Sequence, residues 1–198
     1  MMDWFTVHPW MVGVVTFVLM LIDWWLTILQ ERERQQHYHE HYASYPVNTI
    51  EGNPFLRSAV SERRLINPRH LVAALITSIS VTVGLWFIPP LFKVMFVGYI
   101  WGLFLIVITT HLGNLLGYRA GRRGLHGKLY LHLRTGHLVQ MGRYLALSLF
   151  LIILAVCSES LFITGVAIAG ITSSTRQLIW LKKIPAIDKA DAPPEVDW

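Results

Sequence analysis

The chain alternates long apolar runs with shorter polar segments, and four of the runs are long enough to cross a lipid bilayer. They cover residues 10–30, 70–88, 91–118 and 144–173. A helix needs about 20 mostly apolar residues to cross the hydrocarbon core. The pattern predicts an all-α, polytopic integral membrane protein: a four-transmembrane-helix bundle forming a single domain over residues 1–184. Residues 185–198 are expected to form a flexible C-terminal tail.

The charges indicate how this bundle is oriented. Six of the 17 lysines and arginines lie between the first two predicted helices, and six more lie between the last two. A four-pass topology places both loops on one side, and the positive-inside rule makes that side the cytoplasm. We expect the membrane to be a bacterial or archaeal cytoplasmic membrane. Because topology accounts for the net charge of +5, no nucleic-acid partner is predicted. One conflict remains, since Arg176, Lys182 and Lys183 would then lie outside.

The first long loop contains a helix-start signal that occurs twice. Asn53-Pro54 and Asn67-Pro68 each place asparagine at an N-cap and proline at the first helical position. The first pair predicts a short amphipathic cytoplasmic helix, and the second predicts the start of the second membrane helix.

Small residues at helical spacing predict which helix faces pack closely, because membrane helices associate where their backbones can approach each other. The predicted packing positions are Gly98/Gly102 and Gly113/Gly117 in the third helix, Gly165/Ala169/Ser173 in the fourth, and Ala73/Thr77/Ser80/Gly84 in the second.

Ionisable residues within the apolar runs are the candidates for chemistry, because burying them in a membrane is costly. Asp23 shares one helical face with Thr16, Thr27 and Gln30. It is either a partly solvated interfacial acid, flanked by Trp24 and Trp25 as belt residues, or part of a functional site.

A second polar face belongs to the third predicted helix. His111 and Asn114 lie on it, close to the depth of Asp23, so we expect the polar faces of the first and third helices to meet. A carboxylate, an imidazole and an amide at one depth can bind a divalent metal ion or relay protons. A structural hydrogen-bonding role for His111 is the alternative. Glu159 is expected deep in the middle of the fourth helix.

The pattern Asp23-x-x-x-Thr27, followed by Glu51-x-Asn53-Pro54, resembles a family of small uncharacterised prokaryotic four-helix membrane proteins. The resemblance implies no established activity, but it favours Glu51 as a residue that folds back towards Asp23. The candidate metal ligands are therefore Asp23, Glu51, His111 and Asn114.

Three function classes stay open at this point. The first is a structural or accessory subunit of a membrane complex, whose buried polar residues hold helices together. The second is binding or transport of a divalent cation or protons at a cytoplasm-facing site. The third is an intramembrane metal-dependent enzyme acting on lipid or peptide. Expected partners are the bilayer, anionic lipid headgroups at the basic loops, and another membrane protein or a second copy of the chain.

Overall fold

The computed structural model describes residues 8–41, 51, 53–124 and 133–184, and these residues form six helices joined by turns. The helices are α1 (Pro9–His41), α2 (Pro54–Ser61), α3 (Pro68–Phe87), α4 (Pro90–Gly124), α5 (Leu133–Ser158) and α6 (Leu161–Lys183). The all-α prediction is confirmed: α1, α3, α4 and α5 are long and apolar enough to cross a membrane. The predicted C-terminal tail, 185–198, lies outside the described residues.

Asparagine caps begin α2 and α3, as predicted. The Asn53 side chain accepts a hydrogen bond from the Phe55 backbone N–H at 3.1 Å, and Asn67 accepts one from Arg69 at 3.1 Å. Proline is the first residue of each helix. The caps satisfy backbone donors that the first helical turn leaves without partners.

The prediction of one helix over residues 144–173 is wrong, because a tight turn divides that run into α5 and α6. Glu159 adopts the left-handed conformation, with φ of 52°. The Ser160 backbone N–H donates to the Ala155 carbonyl, and the Ser160 side chain accepts from the Ile163 N–H. The first bond closes α5 and the second caps α6. Glu159 is thus exposed at a hairpin tip and does not lie deep in a helix.

The five long helices pack in the order α3, α1, α4, α6, α5, so each contacts its neighbours in that row. Glycines form the α4–α6 contact. A Cβ added at Gly98 would overlap the backbone of Phe162, and one at Gly165 would overlap the Met95 carbonyl and lie 2.6 Å from the Tyr99 nitrogen. The predicted packing roles of Gly98, Gly102 and Gly165 are therefore confirmed. Those of Gly113 and Gly117 are wrong, because both are exposed and a Cβ at either would meet nothing within 4 Å.

The predicted packing face of α3 is wrong. Ala73 and Ser80 are exposed, while Ala74, Ser78, Val81 and Leu85 are buried (the buried set of α3, with His70). The reason lies in α1, where the missing side chain of Gly13 admits α3: a Cβ there would overlap the Thr82 hydroxyl and lie 3.0 Å from the Ser78 carbonyl. That contact selects the face of α3 that contains Ser78 and Thr82.

Contacts between elements define the two ends of the bundle. Val12, Leu85 and Val97 form one hydrophobic cluster at the end where α1 and α4 begin. At the other end, which we call the basic end, Glu33 of α1 lies 3.3 Å from Arg122 of α4. Because α6 runs parallel to α4, its last turn also lies at the basic end.

Basic side chains concentrate near or beyond this end. Among the described residues, Lys93 is the exception, at the start of α4. Those at the basic end are Arg32, Arg34, Arg57, Arg63, Arg64, Arg69, Arg119, Arg122, Arg123, Arg134, Arg143, Arg176, Lys182 and Lys183. With α5 and α6 as separate helices, the three basic residues of α6 that conflicted with a four-pass topology join the basic loops at one end.

Candidate functional site

The polar face predicted on α1 lies against α4. Thr16, Thr27 and Gln30 are buried, with at most 5% of each residue exposed. The Trp101 indole N–H of α4 donates to the Thr16 hydroxyl at 3.3 Å. An apolar helix with one polar stripe buries that stripe against a neighbouring helix, because exposing it to lipid leaves its polar groups without partners.

His111 of α4 is the centre of this interface, and it contacts three residues of α1. Its Nδ1 atom lies 2.6 Å from the Gln30 side-chain oxygen. Its Nε2 atom lies 3.2 Å from the Thr27 hydroxyl oxygen and 3.3 Å from Asp23 Oδ1. The predicted meeting of the two polar faces is therefore confirmed. We call Asp23, Thr27, Gln30 and His111 the polar lock.

The contacts of the lock hold the His111 ring from two sides. The Thr27 hydroxyl donates to the Asp23 backbone carbonyl at 2.9 Å, so its oxygen is left to accept from the imidazole. The Gln30 carbonyl oxygen accepts on the other side of the ring. Both ring nitrogens thus lie within hydrogen-bond distance of side-chain oxygens of α1, so the ring is held on two sides. Asp23 Oδ1 is itself enclosed and makes no hydrogen bond to the described residues.

The lock lies where the apolar part of the bundle meets the basic end. Trp24, next to Asp23, donates its indole N–H to the Leu65 carbonyl at 3.0 Å and stacks on His70 with ring centres 4.7 Å apart. His70 belongs to the first turn of α3, so α3 begins at this level. The Trp24–His70 stack therefore holds α3 and its preceding loop against α1.

Trp24 does not act as a membrane-belt residue. It is 6% exposed and packs with Ile28, Ala59 and Val60, whereas Trp25 is 56% exposed and faces outward. His70, which sequence reasoning missed, is buried and contacts the Met20 carbonyl at 3.2 Å. The available signal for His70 was its position three residues after the capping Asn67, which places it in the first turn of α3. The first turn of a membrane helix lies at the membrane interface.

The other two predicted metal ligands lie apart from the lock. The Glu51 carboxylate accepts a hydrogen bond from the Asn53 backbone N–H at 2.6 Å, just before α2. The Asp23 side chain contacts His111. Asn114 is half-buried and makes no hydrogen bond within the described part of the chain. The structure brings together two of the four predicted ligands, Asp23 and His111.

The donors present do not make a complete metal site. Across the described ranges, no three histidine, cysteine, aspartate or glutamate side chains converge where they could hold an ion. Divalent transition metals in proteins take several nitrogen, oxygen or sulfur ligands. Asp23 and His111 supply one carboxylate and one imidazole, which fits an ion pair or a proton site better than a metal centre.

Polar contacts continue on both sides of the lock. Towards the basic end, Glu33 lies 3.6 Å from Arg119 and 3.3 Å from Arg122. On the far side of α4, the Thr110 hydroxyl lies 2.8 Å from the Tyr144 hydroxyl of α5. Thr110 precedes His111 in sequence, so α4 makes polar contacts with α1 and with α5 at the same level of the bundle.

Comparison with models of protein families, with curated proteins and with solved structures gives no match. The resemblance of Asp23, Thr27, Glu51, Asn53 and Pro54 to a four-helix membrane family stays a prediction.

Proposed function

We propose that the protein is a structural or accessory subunit of a membrane complex, in which the polar lock fixes α1 against α4. The observation that carries the proposal is the small-residue face of α3. Ala73 and Ser80 of this face are exposed, Thr77 and Gly84 are half-buried, and a Cβ at Gly84 would meet nothing within 4 Å. Small residues on a membrane helix permit close approach of another helix. This face is thus suited to a partner chain or a second copy.

The test is to make the α3 face bulky. We expect the double variant Ser80→Leu with Gly84→Leu to run as a single chain in mild detergent, while the wild type runs as a larger assembly. Two leucines prevent close backbone approach but remain compatible with a lipid-facing helix. Native electrophoresis and light scattering provide the measurement. Ile79→Leu is the matched control, because Ile79 is 54% exposed on the same helix. A wild type that is a single chain, or an assembly indifferent to the leucines, contradicts the proposal.

We also propose that the basic end faces the cytoplasm and that α6 crosses the membrane as a fifth helix. The positive-inside rule supports this orientation, since it places all the described basic residues except Lys93 on one side. The start of α1, the Pro89–Pro90 turn and Glu159 then face outward, and α6 ends in the cytoplasm.

Single cysteines test this topology in a Cys157→Ser background. We expect Lys93→Cys to react with a membrane-impermeant maleimide added to intact cells, and Lys182→Cys to react only after permeabilisation. The two residues lie at opposite ends of the bundle. Reaction of both from outside would mean that α6 does not cross.

Binding of a divalent cation or proton at the lock is the second candidate function. It is favoured by Asp23, whose Oδ1 is enclosed, has no hydrogen-bond partner among the described residues and lies 3.3 Å from His111. A carboxylate in that position gains from any added positive charge. The ion-binding candidate and the structural proposal both rest on the four residues of the polar lock. A measurement of ion binding therefore distinguishes them.

Asp23→Asn makes that distinction, because asparagine keeps the shape of aspartate and removes its charge. If the lock binds a divalent ion, adding the ion will raise the melting temperature of the wild type and have less effect on the variant. Mass action gives about 2.7 kcal/mol at an ion concentration 100 times the Kd. If the lock has only a structural role, we expect the added ion to have the same effect on the melting temperatures of the wild type and Asp23→Asn in detergent. A selective gain in the wild type would favour the cation-binding candidate.

A further inference from the structure

A groove of about 400 Å³ lies between α5 and α6, at the end of the bundle opposite the basic end. Its volume is within the range of roughly 300–1,000 Å³ of small-molecule sites. Small residues form its floor: Ala155 is 7% exposed and Ala167 is 1% exposed. Larger aliphatic side chains form its walls, namely Ile152, Val156, Leu161, Ile168 and Ile171. Most of the groove's lining is therefore apolar.

Polar groups lie only at the mouth and along one wall of this groove, at the α5–α6 turn. Glu159 and Ser160 line the mouth, and Thr164 lies one turn further along α6. Glu159 holds its exposed carboxylate there in a left-handed conformation that costs on the order of 1 kcal/mol for a residue other than glycine. The Ser160 oxygen accepts from the Ile163 N–H, so its hydroxyl proton is left to donate outward.

The position of the mouth along the bundle follows from the α4–α6 contact. Phe162 packs directly on Gly98, and the two helices run parallel. Glu159 therefore lies near the level of Lys93, where the apolar segments of α1 and α3 reach their outer ends. At that level in a bilayer, the groove meets acyl chains and its mouth meets headgroups.

The charge at the mouth selects among headgroups. Among the described residues, Glu159 is the acidic residue at this end of the bundle, since the others lie near the basic end. A carboxylate repels anionic headgroups, and it can accept hydrogen bonds from a primary ammonium but not from a quaternary one. The Ser160 hydroxyl is beside it and can donate to a phosphate oxygen.

We propose that this groove binds one lipid with a primary-amine headgroup, such as phosphatidylethanolamine, with an acyl chain along α5 and α6. The ammonium group pairs with Glu159, and the small side chains of Ala155 and Ala167 leave room for the chain. This site is separate from the polar lock and from the small-residue face of α3, so it does not depend on the proposed assembly, but it rests on the proposal that α6 crosses the membrane.

Lipid retention tests the proposal. The full chain is reconstituted in nanodiscs with equal amounts of phosphatidylethanolamine, phosphatidylcholine and phosphatidylglycerol, re-extracted in mild detergent, and its bound lipids are measured by mass spectrometry. We expect the wild type to retain the ethanolamine lipid with at least threefold enrichment over the other two. Equal retention of the three, or enrichment of the glycerol lipid, would overturn the proposal.

Three variants locate the site. Glu159→Gln should abolish the enrichment, and Glu159→Gly should do the same while it relieves the left-handed turn, so that a folding defect cannot explain the loss. Ile168→Trp places a larger side chain in the groove wall and so narrows the groove, which should reduce retention of all three lipids. Leu149→Trp is the control, because Leu149 is 54% exposed on α5 and does not line the groove. Enrichment that persists in both Glu159 variants would contradict the assignment.

Discussion

Among glycine-to-alanine substitutions at the described glycines, Gly165→Ala is expected to destabilise the protein most. It should lower the free energy of unfolding by about 3 kcal/mol. The added Cβ would overlap the Met95 carbonyl and lie 2.6 Å from the Tyr99 nitrogen. Both are backbone atoms of α4, so no side chain can rotate away and the two helices must separate. Overpacking typically costs roughly 1–3 kcal/mol, and rigid surroundings place this site at the upper end.

Unfolding in detergent, followed by tryptophan fluorescence against a denaturing surfactant, measures the effect. Gly113→Ala is the matched control: it lies on α4, and a Cβ there meets nothing within 4 Å. Alanine has the higher helix propensity, by about 1 kcal/mol in water, so this variant should be neutral or slightly stabilising. Equal losses in the two variants would mean that α4 and α6 do not approach as described.

His111→Leu is expected to have the second large effect, lowering the free energy of unfolding by about 2 kcal/mol. The substitution removes the contacts to Thr27 and Gln30 and leaves the Asp23 carboxylate without its imidazole neighbour. Breaking a fully buried ion pair costs about 3–5 kcal/mol. We expect less here because the His111 and Asp23 side chains are 20% and 24% exposed. The same unfolding measurement gives the value.

Asp23→Asn should change stability by less than about 0.5 kcal/mol, since asparagine keeps the shape of aspartate beside the imidazole and the cost of enclosing a charge is removed. His111→Leu and Asp23→Asn therefore separate loss of a partner from loss of a charge. A His111→Leu protein as stable as the wild type would mean that the interface is held by apolar packing alone.

The periodicity of the sequence was sufficient to predict that the polar faces of α1 and α4 meet, but it did not show that Gln30 is the residue that contacts His111 Nδ1. Thr16, Asp23, Thr27 and Gln30 recur at helical spacing, and His111 lies in an otherwise apolar helix. Each of these polar groups would cost free energy if it faced lipid without a partner, so the two helices are expected to pair them. Glu51 could not be placed in this way, since its position depends on the fold of a loop with no periodic signal.

The α5–α6 turn was not predictable from hydropathy. The apolar residues before and after Glu159 are nearly continuous, and the 30 residues of 144–173 match the length of one tilted span. Both helices also extend past that run, into segments that carry Arg134 and Arg176 and so resemble loops. The charge conflict of Lys182 and Lys183 was the one signal of an additional helix.

The choice of packing face on α3 depended on a residue of another helix. Ala73, Thr77, Ser80 and Gly84 form a regular small-residue face, whereas the face that packs also includes the larger Val81 and Leu85. Only the position of Gly13 on α1 decides between them, and a single sequence does not reveal which helices are neighbours. The unused face is the feature on which the proposed assembly rests.

A double-mutant cycle between Gln30 and His111 tests the polar lock most directly. Stabilities are measured for the wild type, Gln30→Leu, His111→Leu and the double variant in the same detergent. We predict a coupling free energy of about 1 kcal/mol, as expected for a short interhelical hydrogen bond in a membrane protein. Additive effects, within about 0.3 kcal/mol, would show that the two side chains do not interact and would contradict a bundle in which His111 joins α4 to α1.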